Sequence, residues 1–301
     1  MINNDRLIRD MACIDRFVHH PGFAHTHTPL NKNSDIYYWN TDSYQVVIKC
    51  IPLTRLAATP HKFMKVSQLP RLDGEPFMEI KMLTETSRMQ HLCPHYLQML
   101  HWRVYDGHVY RNSNITQHHF SKTSVVLYLR AMEMDCHEWT KKMANRTDLQ
   151  CRAMVFQILF ALMVMHQHLG FVHGDAHIGN VLCSRDTTSV LNYVIKKRTF
   201  QVPNTGMHWV ISDFGRSRNI AAPDESECDP SWSDTPTLDI INFLTSVHCH
   251  VAKSALLKNR ISLILQFLKN CNRVSLHCIF DMMFEDFYEL KHTATATYQL
   301  D

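Results

Sequence analysis

Apolar and polar positions change rhythm near the middle of the chain. Ile36-Tyr37-Tyr38-Trp39 and Tyr44-Gln45-Val46-Val47-Ile48 are short β-rich runs, and Asn40-Thr41-Asp42-Ser43 between them is turn chemistry, so a hairpin is expected over residues 35–53. Residues 75–92 follow the breaker Asp73-Gly74 and space Phe77, Ile80 and Leu83 along one helical face. Residues 97–110 and 124–129 read as further strands. The first 130 residues are therefore expected to be mainly sheet with one prominent helix.

Helical periodicity dominates afterwards. Thr147-Asp148-Leu149-Gln150 matches a capping box and opens a helix expected to run to about His168, with Gly170 ending it. Residues 154–165 are apolar on nearly every side, which marks a helix buried in a core. Residues 190–202 alternate again (Val190, Tyr193, Ile195, then Phe200, Val202) around the basic tip Lys196-Lys197-Arg198, which predicts a second hairpin. Residues 238–290 return to a helical pattern. The expected class is α+β, a β-rich part followed by an α-rich part.

Composition narrows the classes. The chain has 301 residues, 45% apolar and 20% charged, enough for one large domain or two lobes with a real core. Its net charge of +3 comes from scattered basic residues, which speaks against nucleic acid as a partner. The apolar run 154–165 is interrupted by Gln157 and is too short to span a bilayer, so no membrane partner is expected. Ten cysteines form no CxxC pair and no signal peptide is evident; reduced thiols in an intracellular protein are expected. Among 21 histidines, His248-Cys249-His250 invites a zinc reading, but helical neighbours diverge and no second ligand pair completes a tetrahedron.

Chemistry concentrates in two segments. His173-Gly174-Asp175-Ala176-His177-Ile178-Gly179-Asn180 is followed, 38 residues after Asp175, by Asp213-Phe214-Gly215. An Asp just past a His, with an Asn five residues on, can orient a hydroxyl nucleophile and hold a magnesium ion; a second Asp on a separate turn can take the metal that bridges nucleotide phosphates.

With Val46-Val47-Ile48-Lys49 upstream, the order of these motifs resembles the eukaryotic-type protein kinase fold over roughly residues 35–250. The resemblance implies a bilobal protein-kinase-like fold: an N-lobe over 1–132, a C-lobe over 133–301, together one kinase domain. It implies that Lys49 grips the α- and β-phosphates of ATP and pairs with a carboxylate on the prominent helix. Glu79 is the choice there because its neighbours are apolar; Glu75 and Glu85 stay open. Met132-Glu133-Met134 resembles the hinge whose backbone binds adenine. Asp175 would orient the acceptor hydroxyl, Asn180 and Asp213 would ligate Mg2+, and Asp239 resembles the helix residue that braces the catalytic loop.

The chain also departs from the family pattern. No GxGxxG precedes Lys49, and Gly22 in His20-Pro21-Gly22-Phe23-Ala24-His25 is the nearest candidate for a phosphate-covering loop. Gly174 stands where arginine is usual, which implies no need for activation-loop phosphorylation. His177 stands where lysine is usual in a serine/threonine kinase, so His177→Lys is expected to be tolerated. After Asp213-Phe214-Gly215 no Ala-Pro-Glu appears, and Asp239 follows only 24 positions after Gly215. The insert through Tyr193, Phe200-Gln201-Val202-Pro203 and Gly206, with Pro94-His95-Tyr96, resembles protein kinases encoded by large DNA viruses. The expectation is an ATP- and Mg2+-dependent serine/threonine kinase acting on protein substrates, in host cytoplasm or nucleus if viral. A pseudokinase acting as a binding module and an aminoglycoside- or choline-type phosphotransferase are the alternatives.

Overall fold

A computed structural model describes residues 28–29, 36–40, 45–52, 75–106, 123–186, 190–196, 198–220, 236–270, 276–288 and 296–300. The segment around Gly22, the residues 41–43 of the expected turn, Asp73-Gly74 and Lys197 lie outside the described residues. The chain is mixed α+β, with sheet in its N-terminal part and helices in its C-terminal part. It divides into two compact units, Met1–Lys81 with Gln98–Ala131, and Met82–Leu97 with Met132–Asp301. Residues 82–97, expected in the first part, group with the second unit.

The first unit carries a five-stranded sheet in the order β1-β2-β3-β5-β4, from Thr28–Pro29, Ile36–Asn40, Gln45–Pro52, Thr123–Arg130 and Met99–Asp106. Every pairing is antiparallel. In β3 the side chains alternate. Val46, Ile48 and Cys50 are buried, whereas Val47, Lys49 and Ile51 share the half-buried opposite face. Interior strand β5 is buried on both faces from Val125 to Leu129, which is why its sequence reads as an apolar run and not an alternation. Helix α1 (Glu75–Arg88) buries Phe77, Glu79 and Ile80 in the part that belongs to this unit.

The second unit is organised around one helix. Helices α2 (Cys136–Lys142), α3 (Asp148–Val164), α4 (Pro236–His250), α5 (Ala255–Asn270) and α6 (Leu276–Phe284) accompany three small sheets. These are β11-β8-β6 (Met207–Ile211, Val181–Arg185, Met134–Asp135), β10-β9-β13 (Arg198–Pro203, Val190–Ile195, Ala296–Leu300) and β12-β7 (Arg218–Asn219, Phe171–Val172). The capping box forms as the sequence predicts: Gln150 N–H donates to Thr147 Oγ1 at 3.2 Å and Thr147 N–H to Gln150 Oε1 at 2.8 Å. Beyond it every residue of α3 from Ala153 to Val164 is buried.

Gln157, the polar interruption in that run, is buried with its Oε1 accepting from Trp209 N–H of edge strand β11 at 3.0 Å and its Nε2 without a hydrogen-bond partner among the described residues. The helix and the turn that extends it, Asp148–Leu169, are long and apolar enough to cross a membrane by length and composition, more than the run 154–165 alone suggests. Yet 83% of that window is buried inside the protein. Its apolar surface is already covered by other parts of the same chain.

Phe156 explains much of that cover. Its ring lies within 4.8–6.1 Å of those of Tyr193, Phe200, Phe280, Phe284 and Phe287, so the helix, the inserted hairpin and the C-terminal helices share one aromatic cluster. The C-terminal strand β13, which the sequence pattern did not reveal, pairs parallel to β9 and sets Tyr298 opposite Tyr193. Phe156→Ala is expected to cost about 3–5 kcal/mol of stability, the range for emptying a buried aromatic site. Denaturant unfolding followed by near-UV dichroism checks this, and a loss under about 1 kcal/mol would contradict the cluster's role.

Candidate active site

Asp239 is the point from which the site is built. It sits on the first turns of α4, buried, and its carboxylate accepts from three groups. His173 N–H donates to Oδ2 at 2.6 Å, Gly174 N–H to Oδ1 at 2.9 Å, and the His166 ring meets Oδ2 at 2.9 Å. His166 reaches it from a π-helical turn, Met165–Leu169, which closes on Gly170 in the left-handed region at φ 68°. Two consecutive backbone amides just before Asp175 are thereby fixed.

The next residues fold back on themselves. The His173 ring is buried between Ser212 O, 3.0 Å from Nε2, and Asp175 N–H, 3.2 Å from Nδ1. A carbonyl must accept and an amide must donate, so the ring is neutral with its proton on Nε2. Burial pushes its pKa below the ordinary histidine value. His177 caps the short 3-10 turn Ile178–Asn180, its Nδ1 accepting from Gly179 N–H at 2.9 Å. That bond also places the proton on Nε2, which lies 3.7 Å from Asp175 Oδ1. Lysine cannot accept from Gly179, so His177→Lys would lose the cap at this turn.

Asn180 spends its amide nitrogen on Asp175, with the main-chain oxygen at 2.9 Å and Oδ2 at 3.4 Å, so Oδ1 is the atom that could hold a metal. The register Val181↔Ile211 between β8 and β11 then brings the second segment alongside. Ser212 donates from both N and Oγ to Asn180 O, at 2.9 and 3.0 Å, and Asp213 follows directly. Asp213 is exposed and adopts φ 63°, a region that Asp and Asn tolerate better than most residues. Phe214 is buried, with its ring 5.3 Å from that of His173 and 6.3 Å from that of Tyr96.

Gly174 has a local reason that the sequence did not reveal. Its φ is 77°, and a Cβ there would come within 2.3 Å of the Arg216 carbonyl oxygen. Arg216 in turn lies with Nη1 3.7 Å from Asp175 Oδ1. Glycine at position 174 thus lets the main chain of Arg216 approach, and a cation arrives beside Asp175 from the far side of Asp213-Phe214-Gly215. Arg216 was passed over in the sequence because nothing in its spacing ties it to Asp175.

In the first unit Lys49 Nζ contacts both oxygens of Glu79, at 2.7 and 2.9 Å. Glu79 is thus the partner among the three carboxylates left open, and Glu85 instead meets Arg88 at 2.9 Å. The side chain of Glu79 is 5% exposed, so this pair is largely desolvated. At the expected hinge, Met132 is buried, Glu133 N–H donates to Cys183 O at 2.9 Å, and Met134 pairs with Cys183 in β6. The Glu133 amide is therefore committed to the second unit's own sheet.

Pro94-His95-Tyr96 and the insert are brought together, away from the acidic residues. His95 donates from Nδ1 to Trp209 O at 2.9 Å and accepts at Nε2 from Tyr193 OH at 2.8 Å; burial, then the nearby His208, hold its pKa well below the usual value. Of the cysteines, Cys50, Cys93, Cys136, Cys151 and Cys183 are buried free thiols and Cys249 and Cys278 are exposed free thiols. Burial pushes Cys93 up to about 12. No protein-family model matches the chain, and no curated protein matches it in sequence.

Two predictions come from these contacts. Gly170 and Gly174 both sit at positive φ, but a Cβ at Gly170 meets nothing within 4 Å. Gly170→Ala is expected to cost about 1–2 kcal/mol from backbone strain alone, and Gly174→Ala distinctly more, because main-chain atoms must also move. Equal losses in thermal unfolding would remove the argument for a forced glycine.

The second concerns pH. A buried histidine whose pKa is depressed stays neutral while the unfolded chain takes up a proton, so stability is full above about 6.5 and falls below it, by up to about 1.4 kcal/mol per pH unit per ring. His95 and His173 both have this sign. The unfolding midpoint is expected to be flat from pH 8 to 7 and to fall towards pH 5, with the ring NMR signals of both residues unshifted through 6.5. Titration of either ring near 6.5 in the folded chain contradicts the assignment.

Proposed function

We propose that the chain is an ATP-dependent protein kinase of bilobal kinase-like fold that transfers the γ-phosphoryl group to serine or threonine hydroxyls of a protein substrate. The observation that carries this reading is the second unit's catalytic-type loop. Asp175, Asn180 and Asp213, separated by up to 38 positions, are gathered by the β8–β11 register and by one buried carboxylate. The Lys49–Glu79 pair supports it separately: a buried carboxylate held against a half-buried lysine is a poor way to gain stability, and a lysine held by a carboxylate is what a phosphate site needs.

On this reading Asp175 orients the acceptor hydroxyl, and its proton passes towards the carboxylate late in the transfer. His177 and Arg216 flank the same carboxylate and hold it in place. Lys49 neutralises phosphate charge. The oxygen donors Asn180 Oδ1 and the Asp213 carboxylate suit Mg2+, which keeps waters and phosphate oxygens in its shell and needs few protein ligands. No three His, Cys, Asp or Glu side chains among the described residues are grouped to hold a metal by themselves, so a tight all-protein site is not what these residues build. Bound there, the metal would supply charge neutralisation on the phosphates.

Asp213→Asn is the variant of choice. Asp213 is exposed, and asparagine also accepts its left-handed backbone, so the fold should survive. Lys49→Met would strand a buried Glu79 and confuse stability with chemistry. With labelled ATP and Mg2+, the wild-type chain should label casein, histone or itself, and Asp213→Asn should lose about 100-fold or more of that rate. A thermal shift with ATP and Mg2+ but no transfer would replace the reading with a binding module. Transfer only to a small alcohol would replace it with a small-molecule phosphotransferase.

A further inference from the structure

Among the described residues, Arg216 alone brings a permanent cation to Asp175, with Nη1 3.7 Å from Oδ1. We propose that its guanidinium contacts the transferring phosphoryl group and that Arg216 is a further catalytic residue of the reaction. The proposal deepens the kinase reading and rests on it.

The main chain of Arg216 is tied to the loop that carries Asp175. Ser217 N–H donates to Phe214 O at 3.0 Å, and the buried Ser217 Oγ donates to His173 O at 3.4 Å. The Arg216 carbonyl occupies the space that Gly174 leaves by lacking a Cβ. Arg218–Asn219 then pairs with Phe171–Val172, just before the loop. These contacts place the Arg216 backbone and leave its side chain 66% exposed.

A bracing arginine looks different in this protein. Arg152 is 13% exposed and grips both oxygens of Asp286, with Nη1 2.7 Å from Oδ2, and it also donates to Met283 O at 3.0 Å. At 3.7 Å Arg216 is beyond hydrogen-bond range of Asp175, so its fork is not spent there. Its five N–H groups suit an oxyanion, and the planar fork can meet two phosphate oxygens at once. His177 stands at the same carboxylate oxygen without a permanent charge, and its Nδ1 is committed to Gly179.

The chemistry needs a cation at this point. The acceptor oxygen forms its bond to Pγ while the bond from Pγ to the bridging oxygen breaks, its electron pair leaving on ADP. The hydroxyl proton passes to Asp175, and Arg216 keeps all of its protons. Negative charge is then spread over the three outer oxygens of the phosphoryl group, next to a carboxylate that repels it. A guanidinium adjoining Asp175 offsets that repulsion where it arises.

Arg216→Ala tests this, because the side chain is exposed and the carbonyl that faces Gly174 is retained. Its kcat is expected to fall about 100-fold, with KM for ATP within about threefold of wild type. Added guanidinium should raise the Arg216→Ala rate about tenfold and leave Asp213→Asn unchanged. A raised KM with unchanged kcat, or no rescue, overturns the proposal.

A second measurement separates contact with the phosphoryl group from positioning of Asp175. With ADP, Mg2+ and aluminium fluoride but no acceptor, Arg216→Ala should bind this transition-state mimic about tenfold more weakly, with ATP affinity within about threefold. The same loss should persist in an Asp175→Asn background. Equal affinity for the mimic, or a loss that vanishes with Asp175→Asn, makes Arg216 a brace for that carboxylate and overturns the proposal. A wild-type chain that binds neither ATP nor the mimic removes the kinase reading itself, and this inference with it.

Discussion

A buried carboxylate with three donors holds the catalytic-type loop of this protein. Left unpaired, Asp239 would be among the most unfavourable groups in the second unit, since an ionised carboxylate out of water needs hydrogen bonds to both oxygens. It obtains them from two consecutive loop amides and from His166. The need runs both ways. The amides of His173 and Gly174 would lack partners without α4, and α4 could not bury Asp239 without the loop. Because the constraint lies beneath the loop, Asp175 itself can stay half exposed and the site can present charge to solvent.

From that anchor the geometry spreads through backbone more than through side chains. The His173 ring bonds the main chain at Ser212 and Asp175, Asn180 receives two bonds from Ser212, and the Gly174 Cα leaves room for the Arg216 carbonyl. Main-chain contacts of this kind tolerate little displacement. Positive φ collects at the same place, at Gly174, where glycine adopts it freely, and at Asp213, where a side chain makes it uncommon.

Much of this could be read along the chain. The capping box at Thr147, the apolar α3 and the hairpins rest on local chemistry or short periods, which sequence displays directly, whereas the pairing of Lys49 with a carboxylate on the prominent helix was implied only by the resemblance in motif order. Strand β13 could not be read, because five residues pairing parallel with a strand about a hundred positions earlier leave no local signature. At Gly174 the sequence showed only a position where arginine is usual, since a close approach by residue 216 is invisible without the fold. Glu133 and Met134 were assigned by position in a motif order, and their backbone commitments to Cys183 depend on a sheet register that no side-chain pattern encodes. The segment around Gly22 lies outside the described residues, so its role remains the one inferred from sequence.

Protonation separates scaffold from chemistry in this chain. His95 and His173 are buried, neutral, and fixed in tautomer by partners that leave no room for a second proton. His177 is only half buried, yet one nitrogen is also fixed, by Gly179. The cap ties the ring to the turn that contains Asn180 and leaves its Nε2 3.7 Å from Asp175 Oδ1, which makes positioning the service His177 can render next to Asp175.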